Sequence, residues 1–425
     1  MGFASRVGET LVARGLGLAV GVASSIVTAR WLGAEGRGIL ATLAAVTGLV
    51  LQIGNLGLHS SNVYFIAREP GRAGAVLANA LGTSLVMGVA GGAICLGVFQ
   101  GWPAILGAIP RPLLLVTCAV LPFQFLILFF QNALLGLGRV RAFNVFELVH
   151  RGAIFLLLAI YLIGASGGAA GAVVLFGAGA TVFGIVSVLY CARLVGIGRP
   201  DRPLLAVMLG YGGRAWVACL LTFLIARVQV FLINAHAGVS ATGTYSIALQ
   251  IADTMLLVPG TIGMILMPRI AAATAGDRAA ITARVSRLAA LAMTVLCGTA
   301  ALVAAPGIRL LYGPEFAGAI GPFLWLLPAV WASGLSGILM NHFAGDGLPS
   351  IVIGAPLAAL ALNVLLNVWL VPVLGLTGAA LAASASALLM LGLSLASFLR
   401  RGGLPLRQAL VPAPREVAAL LEIRP

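Results

Sequence analysis

The sequence predicts an all-α polytopic membrane protein. Three observations predict this fold class: composition, the length of the apolar runs, and the placement of arginine. Hydrophobic residues make up 61% of the 425 residues and charged residues only 8%, whereas a soluble domain carries about 25% charged residues. Runs of about 20 apolar residues cross the roughly 30 Å hydrocarbon core as helices. Backbone polar groups in lipid must form their hydrogen bonds within the protein, so only helices and closed β-barrels span membranes. The strands of a barrel show about ten residues of alternating hydrophobicity, and the continuous apolar runs of this chain therefore indicate helices.

About twelve transmembrane helices are predicted, separated by short breaks that contain arginine, glycine or proline. The predicted spans are residues 8–30, 37–66, 74–99, 112–137, 142–164, 169–192, 205–235, 242–268, 285–305, 321–343, 349–371 and 376–399. The sequence beyond residue 400 is polar and contains proline, and it is predicted to be a tail outside the membrane.

Arginine placement predicts how the helices are oriented. All 25 basic residues are arginine. Seventeen of them lie at the N-terminus, in alternate loops or in the tail, and the opposite loops hold only Arg30, Arg37, Arg111 and Arg309. Because basic loops stay in the cytoplasm, both termini are predicted to be cytoplasmic, which requires an even number of spans. The expected location is the cytoplasmic (inner) membrane.

Glycine and proline landmarks recur at a nearly constant offset between the two halves of the chain. The matched landmarks are Gly33 and Gly38 with Gly238 and Gly243, Gly71 with Gly276, Leu121-Pro122 with Leu327-Pro328, and Gly168 with Gly375. They predict two six-helix repeats, with an N-terminal lobe over 1–200, a C-terminal lobe over 201–400 and a cytoplasmic tail over 401–425. Parallel repeats place a substrate site between their halves near the midplane. The expected architecture is therefore two lobes around a central cationic cavity.

The stretch from Trp216 to Ala235 carries a cation at bilayer depth. Arg227 lies near its middle, where a charge costs about 2.5–3.5 kcal/mol on insertion scales, so its side chain is expected to face a cavity. A guanidinium fork can bind phosphate in bidentate fashion. Snorkelling or a local ion pair is the structural alternative. The candidate substrate-binding residues are Arg227, Arg14, Arg214, Arg151 and His59.

Two acidic residues are predicted within the spans and away from their ends, and they are the candidates for ion coupling. Glu147 precedes Arg151 by four residues, which puts the two side chains on one helix face as an expected ion pair. Asp253 has no cation three or four residues away, so its partner must come from another helix, and Arg227 is the expected one. Asp253 is also the better candidate for a proton- or sodium-linked carboxylate.

Several classes of function are excluded or left without support. Most of the arginines lie in short loops, where topology and anionic lipid explain them better than nucleic acid does. The five cysteines lie in apolar runs without metal-like spacing. We find no nucleotide-binding, metalloprotease, serine-hydrolase or sugar-nucleotide motif. No cofactor, no metal and no enzymatic activity are therefore expected.

Four stretches resemble one family. They are ARWLGAEGRGILATL (Ala29–Leu43), ARVQVFLINAHAGVSATGTYSIALQIAD (Ala226–Asp253), MPRIA (from Met267) and LYGPEFAGA (from Leu311). In this order they resemble the bacterial polysaccharide-repeat (lipid-linked oligosaccharide) flippases of the multidrug/oligosaccharidyl-lipid/polysaccharide (MOP) exporter superfamily.

The resemblance implies translocation of an undecaprenyl-pyrophosphate-linked oligosaccharide across the cytoplasmic membrane by alternating access. Such a transporter would serve O-antigen, capsule or exopolysaccharide synthesis. Arg227 matches a basic position of the family's seventh helix. Many members have an acid two residues later, where this chain has Gln229, so attention for coupling shifts to Asp253. H+ or Na+ coupling and a polysaccharide polymerase partner are compatible with the resemblance.

Three alternatives remain. A cation-coupled multidrug exporter of the same superfamily would usually need more acids facing its lumen. A lipid II flippase would resemble a longer chain of fourteen helices. A polytopic polymerase or ligase would be expected to carry a large extracytoplasmic loop, which the sequence lacks.

Overall fold

The computed structural model describes residues 3–101, 109–347, 349–402 and 405, without the side chains of 3–11, 214–215, 264–265, 267–269, 271–272 and 275–276. The described chain is helical and contains no strand. The α-helices are α1 Phe3–Gly54, α2 Leu58–Arg68, α3 Ala73–Gly101, α4 Arg111–Gly136, α5 Val140–Ala159, α6 Ala169–Val195, α7 Arg202–Met255, α8 Leu257–Ala272, α9 Ala275–Tyr312, α10 Ile320–Gly345 and α11 Ile351–Gly402. A π-helical turn, Ile160–Gly164, extends α5. Most of the predicted tail, residues 406–425, lies outside the described part.

Nine helical segments of the described chain are long and apolar enough to cross a membrane. Their length and composition, together with the low charge of the whole chain, indicate a multi-pass membrane protein. The prediction of an all-α polytopic fold is confirmed at this level. The predicted lobes over 1–200 and 201–400 and the central cavity stay predictions.

Three helices contain an elbow at a glycine. Helices α1, α7 and α11 have 52, 54 and 52 residues, about 80 Å each at 1.5 Å per residue, which is more than twice a bilayer core. Each contains one glycine at positive φ: Gly33 (φ 64°, ψ −173°), Gly238 (φ 86°, ψ 178°) and Gly375 (φ 56°, ψ −133°). Glycine is nearly alone in tolerating such angles. The predicted breaks before residues 37, 242 and 376 coincide with these three elbow glycines.

Two predicted spans were wrong as single helices. Residues 37–66 are interrupted after Gly54, because the Asn55 Oδ1 atom accepts from the backbone N–H of Gly57 at 2.8 Å and both Leu56 and Gly57 are left-handed. Residues 242–268 are interrupted at Leu256. Pro259 has no N–H with which to continue the ladder four residues back, so the helix ends at Met255.

The first compact unit comprises residues 1–223 and 237–246. Its core lies among α2, α3 and α4, where Phe125, Phe129 and Phe130 are fully buried. Close contacts of small residues join its helices: Gly57 and Gly212 approach so closely that a Cβ on either would meet the other's backbone. Such backbone approach is typical of helix packing in membranes, where dispersion and not burial from water drives association.

The second compact unit comprises residues 224–236 and 247–425. Helix α10 is its centre, since it packs against α8, α9 and α11. Phe323 and Phe343 on α10 and Phe398 on α11 are almost wholly buried there. His342 on α10 is also buried, with Nδ1 2.7 Å from the Thr282 hydroxyl.

The repeat landmarks agree best at the first two elbows. Gly33 and Gly238, 205 positions apart, share one backbone conformation. Gly38 and Gly243 are also 205 positions apart, and the two segments that hold them cross within the first unit. A Cβ on Gly38 would collide with the carbonyl oxygen of Val239, and one on Gly243 with that of Ala34. The contact is thus reciprocal.

The landmark pair Gly168 and Gly375 differs in conformation. Gly168 is extended and precedes α6, whereas Gly375 is an elbow glycine inside α11. The similarity of the two halves therefore holds locally at the first two elbows, and two six-helix repeats stay a prediction.

Candidate functional site

The elbow at Gly238 brings together two charges of α7. Arg227 precedes the elbow by 11 residues and Asp253 follows it by 15. In an uninterrupted helix these residues, 26 positions apart, would be separated by about 39 Å along the axis. In the structure, Arg227 Nη2 donates to Asp253 Oδ2 at 2.7 Å. The predicted pairing of Asp253 with Arg227 is therefore present.

Neither member of this ion pair is sealed inside the protein. The Arg227 side chain is 29% exposed and that of Asp253 is 35% exposed. Pairing offsets part of the cost of placing two charges at membrane depth, and the remaining exposure leaves donors of the guanidinium within reach of a ligand. The arrangement can bind an anion at Arg227 or a cation at Asp253.

Gln229, two residues after Arg227, lies on a different face of the helix from Arg227. Two positions rotate a helix by about 200°, so the two side chains lie on nearly opposite faces. Gln229 is 2% exposed, and its Oε1 atom meets no hydrogen-bond donor among the described residues. It therefore contributes nothing to the surface that presents Arg227.

Glu147 and Arg151 form the second predicted ion pair. Arg151 Nη2 donates to Glu147 Oε1 at 2.9 Å, one turn apart on α5. The side chains are 52% and 37% exposed for Arg151 and Glu147 respectively, so the pair is well accessible. Arg151 also borders α1, since a Cβ on Gly17 would lie 3.8 Å from Arg151 Cδ.

The other three predicted residues are Arg14, His59 and Arg214. Arg14 is half-buried on α1, one turn before Gly17. The His59 Nδ1 atom lies 3.0 Å from Asn55 Oδ1, and its Nε2 atom lies 3.0 Å from Ser60 Oγ. Both ring nitrogens of His59 are thus within hydrogen-bond distance of neighbouring side chains. Arg214 lies in α7, and its side chain is outside the described part.

The predicted residues divide between the two units. The first unit holds Arg14, His59, Glu147, Arg151 and Arg214, and the second holds Arg227 and Asp253. The structure thus assembles two ion pairs from the seven residues, and their roles in binding and coupling stay predictions. Within the described chain, no group of three or more His, Cys, Asp or Glu residues is placed to hold a metal ion.

Sequence reasoning missed a group of polar contacts around Asp201, just before α7. Arg72 Nη2 donates to Asp201 Oδ2 at 2.7 Å, and Asn79 Nδ2 donates to the Asp201 carbonyl oxygen at 2.8 Å. The Asp201 Oδ1 atom accepts from the backbone N–H of Leu204, and these contacts hold the pKa of Asp201 below its ordinary value, with the Leu204 N–H as the main cause. An aspartate just before a helix is a capping signal, and it was available in the sequence.

Sequence reasoning also missed a group of hydrogen bonds beside the elbow at Gly33. Arg37 Nε donates to Ser246 Oγ at 3.1 Å, and Arg37 Nη1 donates to Thr28 Oγ1 at 2.9 Å. Thr28 and Ser246 are buried. Ser246 is 209 positions from Arg37, so nothing in local sequence could have indicated the contact.

Comparison with known proteins identifies the fold through solved structures, whereas comparison of sequences finds no match. No protein-family model matches the chain, and no curated protein matches its sequence. Solved structures match over nearly the whole chain. One is described as the inward-facing conformation of a multidrug resistance MATE family transporter of the MOP superfamily, with a TM-score of 0.68, 15% identity, and coverage of 98% of this chain and 100% of that chain.

Two further solved structures show how far function varies on this fold. The lipid II flippase MurJ in an inward closed conformation matches with a TM-score of 0.71 and 12% identity, over 92% of this chain and 89% of that chain. A MOP superfamily transporter from Pyrococcus furiosus, whose description reports a reversed polarity of its binding pocket, matches with a TM-score of 0.62 and 17% identity, over 94% and 95%. The chain therefore has the fold of MOP-superfamily transporters.

Proposed function

We propose that the chain is a flippase that moves undecaprenyl-pyrophosphate-linked oligosaccharide repeat units across the cytoplasmic membrane by alternating access. The transported units would serve polysaccharide biosynthesis (O-antigen, capsule or exopolysaccharide). The observation that carries the proposal is Arg227, a partly exposed guanidinium within a membrane-spanning helix, which is suited to a pyrophosphate. Arg14, Arg151, Arg214 and His59 are the further candidates for contact with the substrate.

Charge balance supports an anionic substrate. Away from their ends, the predicted spans hold four arginines, Arg14, Arg151, Arg214 and Arg227, but only two carboxylates, and both carboxylates are already paired with arginine. The chain as a whole carries a formal charge of +14. The fold is shared with transporters, one of them described as a lipid II flippase, and a polytopic enzyme is correspondingly less well supported.

Twelve spans follow if each of the three helices with an elbow glycine crosses the membrane twice. Nine described helices are long and apolar enough to span, and α1, α7 and α11 each exceed twice the length that one crossing needs. An even number is consistent with two cytoplasmic termini, as the arginine distribution predicts. H+ or Na+ coupling would act through Asp253 or Glu147, and a polysaccharide polymerase would be the downstream partner.

A multidrug exporter is the second candidate, and one observation favours it. Asp253 presents a carboxylate that is 35% exposed, which could hold an organic cation, and two of the similar structures are described as multidrug resistance transporters. Arg227 at 2.7 Å from that carboxylate argues against it, because the guanidinium already neutralises the group that a cation would need.

The test is translocation of a fluorescent undecaprenyl-pyrophosphate sugar in proteoliposomes, read with a membrane-impermeant quencher. Wild-type protein should expose the protected half of the probe, and Arg227→Ala should not. Arg309→Ala is the matched control, since Arg309 is an exposed arginine at the end of α9. Wild-type activity in Arg227→Ala would refute the assignment of Arg227 to the substrate.

A further inference from the structure

Arg227 already holds an anion of the chain itself. Of the described residues, Asp253 is the one that accepts a hydrogen bond from this guanidinium, through Nη2. A guanidinium has five N–H donors in a fixed fork, so a single bond at 2.7 Å uses only part of its capacity. The two side chains are 29% and 35% exposed, and a ligand can therefore approach the pair from outside the protein interior.

The pair is made across the elbow of α7, unlike the other ion pair of the predicted site. Glu147 and Arg151 are one turn apart on α5, so the helix backbone itself places them side by side. Arg227 and Asp253 meet because the chain reverses at Gly238. Their contact can be broken by side-chain rotation alone, without disturbing any backbone hydrogen bond of either helical segment.

We propose that Asp253 occupies the position on Arg227 that a phosphate of the substrate takes, so that substrate binding exchanges a tethered carboxylate for a phosphate on one guanidinium. This inference rests on the proposed function, in which the substrate carries a pyrophosphate. The guanidinium binds the phosphate more strongly than it binds the Asp253 carboxylate, because the phosphate bears more charge and can accept two parallel hydrogen bonds from the guanidinium. Asp253 then acts as a competitor that keeps the arginine paired when no substrate is present.

The exchange predicts that removing the carboxylate strengthens anion binding. When a binding group is free for only a fraction of the time, the apparent affinity falls by that fraction. If Asp253 holds Arg227 for about nine-tenths of the time, Asp253→Asn should bind a phosphate anion about tenfold more tightly. Asparagine keeps the shape and a hydrogen-bond acceptor and removes the charge.

The experiment is calorimetric titration of inorganic pyrophosphate into the purified full chain in neutral detergent at fixed ionic strength. Asp253→Asn should bind about tenfold more tightly than wild type, and Arg227→Gln should lose most of the binding with or without Asp253→Asn. The matched control is Asp346→Asn. Arg278 donates to Asp346 at the same 2.7 Å, with both side chains 29% exposed, so this variant removes an equivalent charge from an equivalent pair and should leave the affinity unchanged.

Several outcomes would overturn the exchange. Unchanged or weaker binding in Asp253→Asn would show that the carboxylate does not compete. An equal gain in pyrophosphate affinity in Asp346→Asn would show that the effect comes from the change in net charge and not from the pairing of Asp253 with Arg227. Absence of pyrophosphate binding in every variant would show that Arg227 takes no such anion.

Translocation by the wild-type protein separates this inference from the proposed function. Tighter binding in Asp253→Asn without any lipid translocation would leave the exchange standing and refute the flippase. Translocation with unchanged binding in Asp253→Asn would refute the exchange alone.

Discussion

Gly243→Ala should destabilise the protein through the crossing next to the second elbow. The added Cβ would collide with the carbonyl oxygen of Ala34, which is backbone and cannot rotate away, so the two segments must separate. Overpacking of this kind costs about 1–3 kcal/mol. Alanine in place of glycine in a helix regains about 1 kcal/mol, so we expect a net loss of up to about 2 kcal/mol.

Gly21→Ala is the matched control on α1. A Cβ at Gly21 would meet nothing within 4 Å, so this variant reports the helix-propensity gain alone. The free energy of unfolding would be measured by titrating purified protein in mixed micelles with sodium dodecyl sulfate. The difference between the two variants isolates the crossing and should be about 1–3 kcal/mol. If Gly243→Ala were as stable as Gly21→Ala, the close crossing of the two elbow segments would be refuted.

Three further predictions concern other contacts. Arg227→Lys keeps the charge but not the fork, so translocation should be partly retained, and full activity would remove the need for bidentate binding. Because the folded pKa of Asp201 lies below its ordinary value of 3.8, its carboxylate stabilises the protein above that ordinary pKa, and this contribution is lost as pH falls through the folded pKa. In Asp201→Asn the acid limb of Tm against pH should therefore be flatter than in wild type, and an unchanged limb would mean that the ionisation of Asp201 is not linked to folding. Thr282→Val leaves the buried Nδ1 of His342 without its partner, which should cost about 1–3 kcal/mol in the same detergent titration, and an unchanged stability would contradict the buried hydrogen bond.

The sequence was sufficient for those features that depend on local patterns. Glu147 and Arg151 were predicted to pair from their four-residue spacing, and they do. The pairing of Arg227 with Asp253 followed from a charge-balance argument, because a carboxylate at membrane depth needs a cation and Arg227 lies on the preceding predicted span. Apart from the two spans that are interrupted after Gly54 and at Leu256, the predicted helix positions agree with the structure, because apolar runs of bilayer length have few alternatives in lipid.

Features that depend on backbone conformation or on distant contacts were not accessible. The sequence predicted breaks before residues 37, 242 and 376, but it could not show that each break is a kink at one glycine of positive φ within a continuous helix. The break at Leu256 depends on Pro259, whose missing N–H can either kink or end a helix. The contact of Arg37 with Ser246 joins residues 209 positions apart, and only the fold brings them together.

The fold does not determine the charge of the substrate. One similar structure is described by a reversed polarity of its binding pocket, and others are described as multidrug transporters. Residue chemistry has to decide between these classes, and in this chain it favours an anion, because arginine exceeds acid within the spans and the carboxylate nearest Arg227 is already neutralised.

Translocation by the wild-type protein is the most direct test of an anionic, lipid-linked substrate. Proteoliposomes would be loaded with fluorescent undecaprenyl-pyrophosphate sugar, and parallel vesicles would be tested for gradient-driven uptake of a cationic dye. The flippase proposal predicts protein-dependent exposure of the lipid probe to an impermeant quencher, with no dye uptake. Dye uptake with no movement of the lipid probe would contradict it and would assign the chain to export of organic cations.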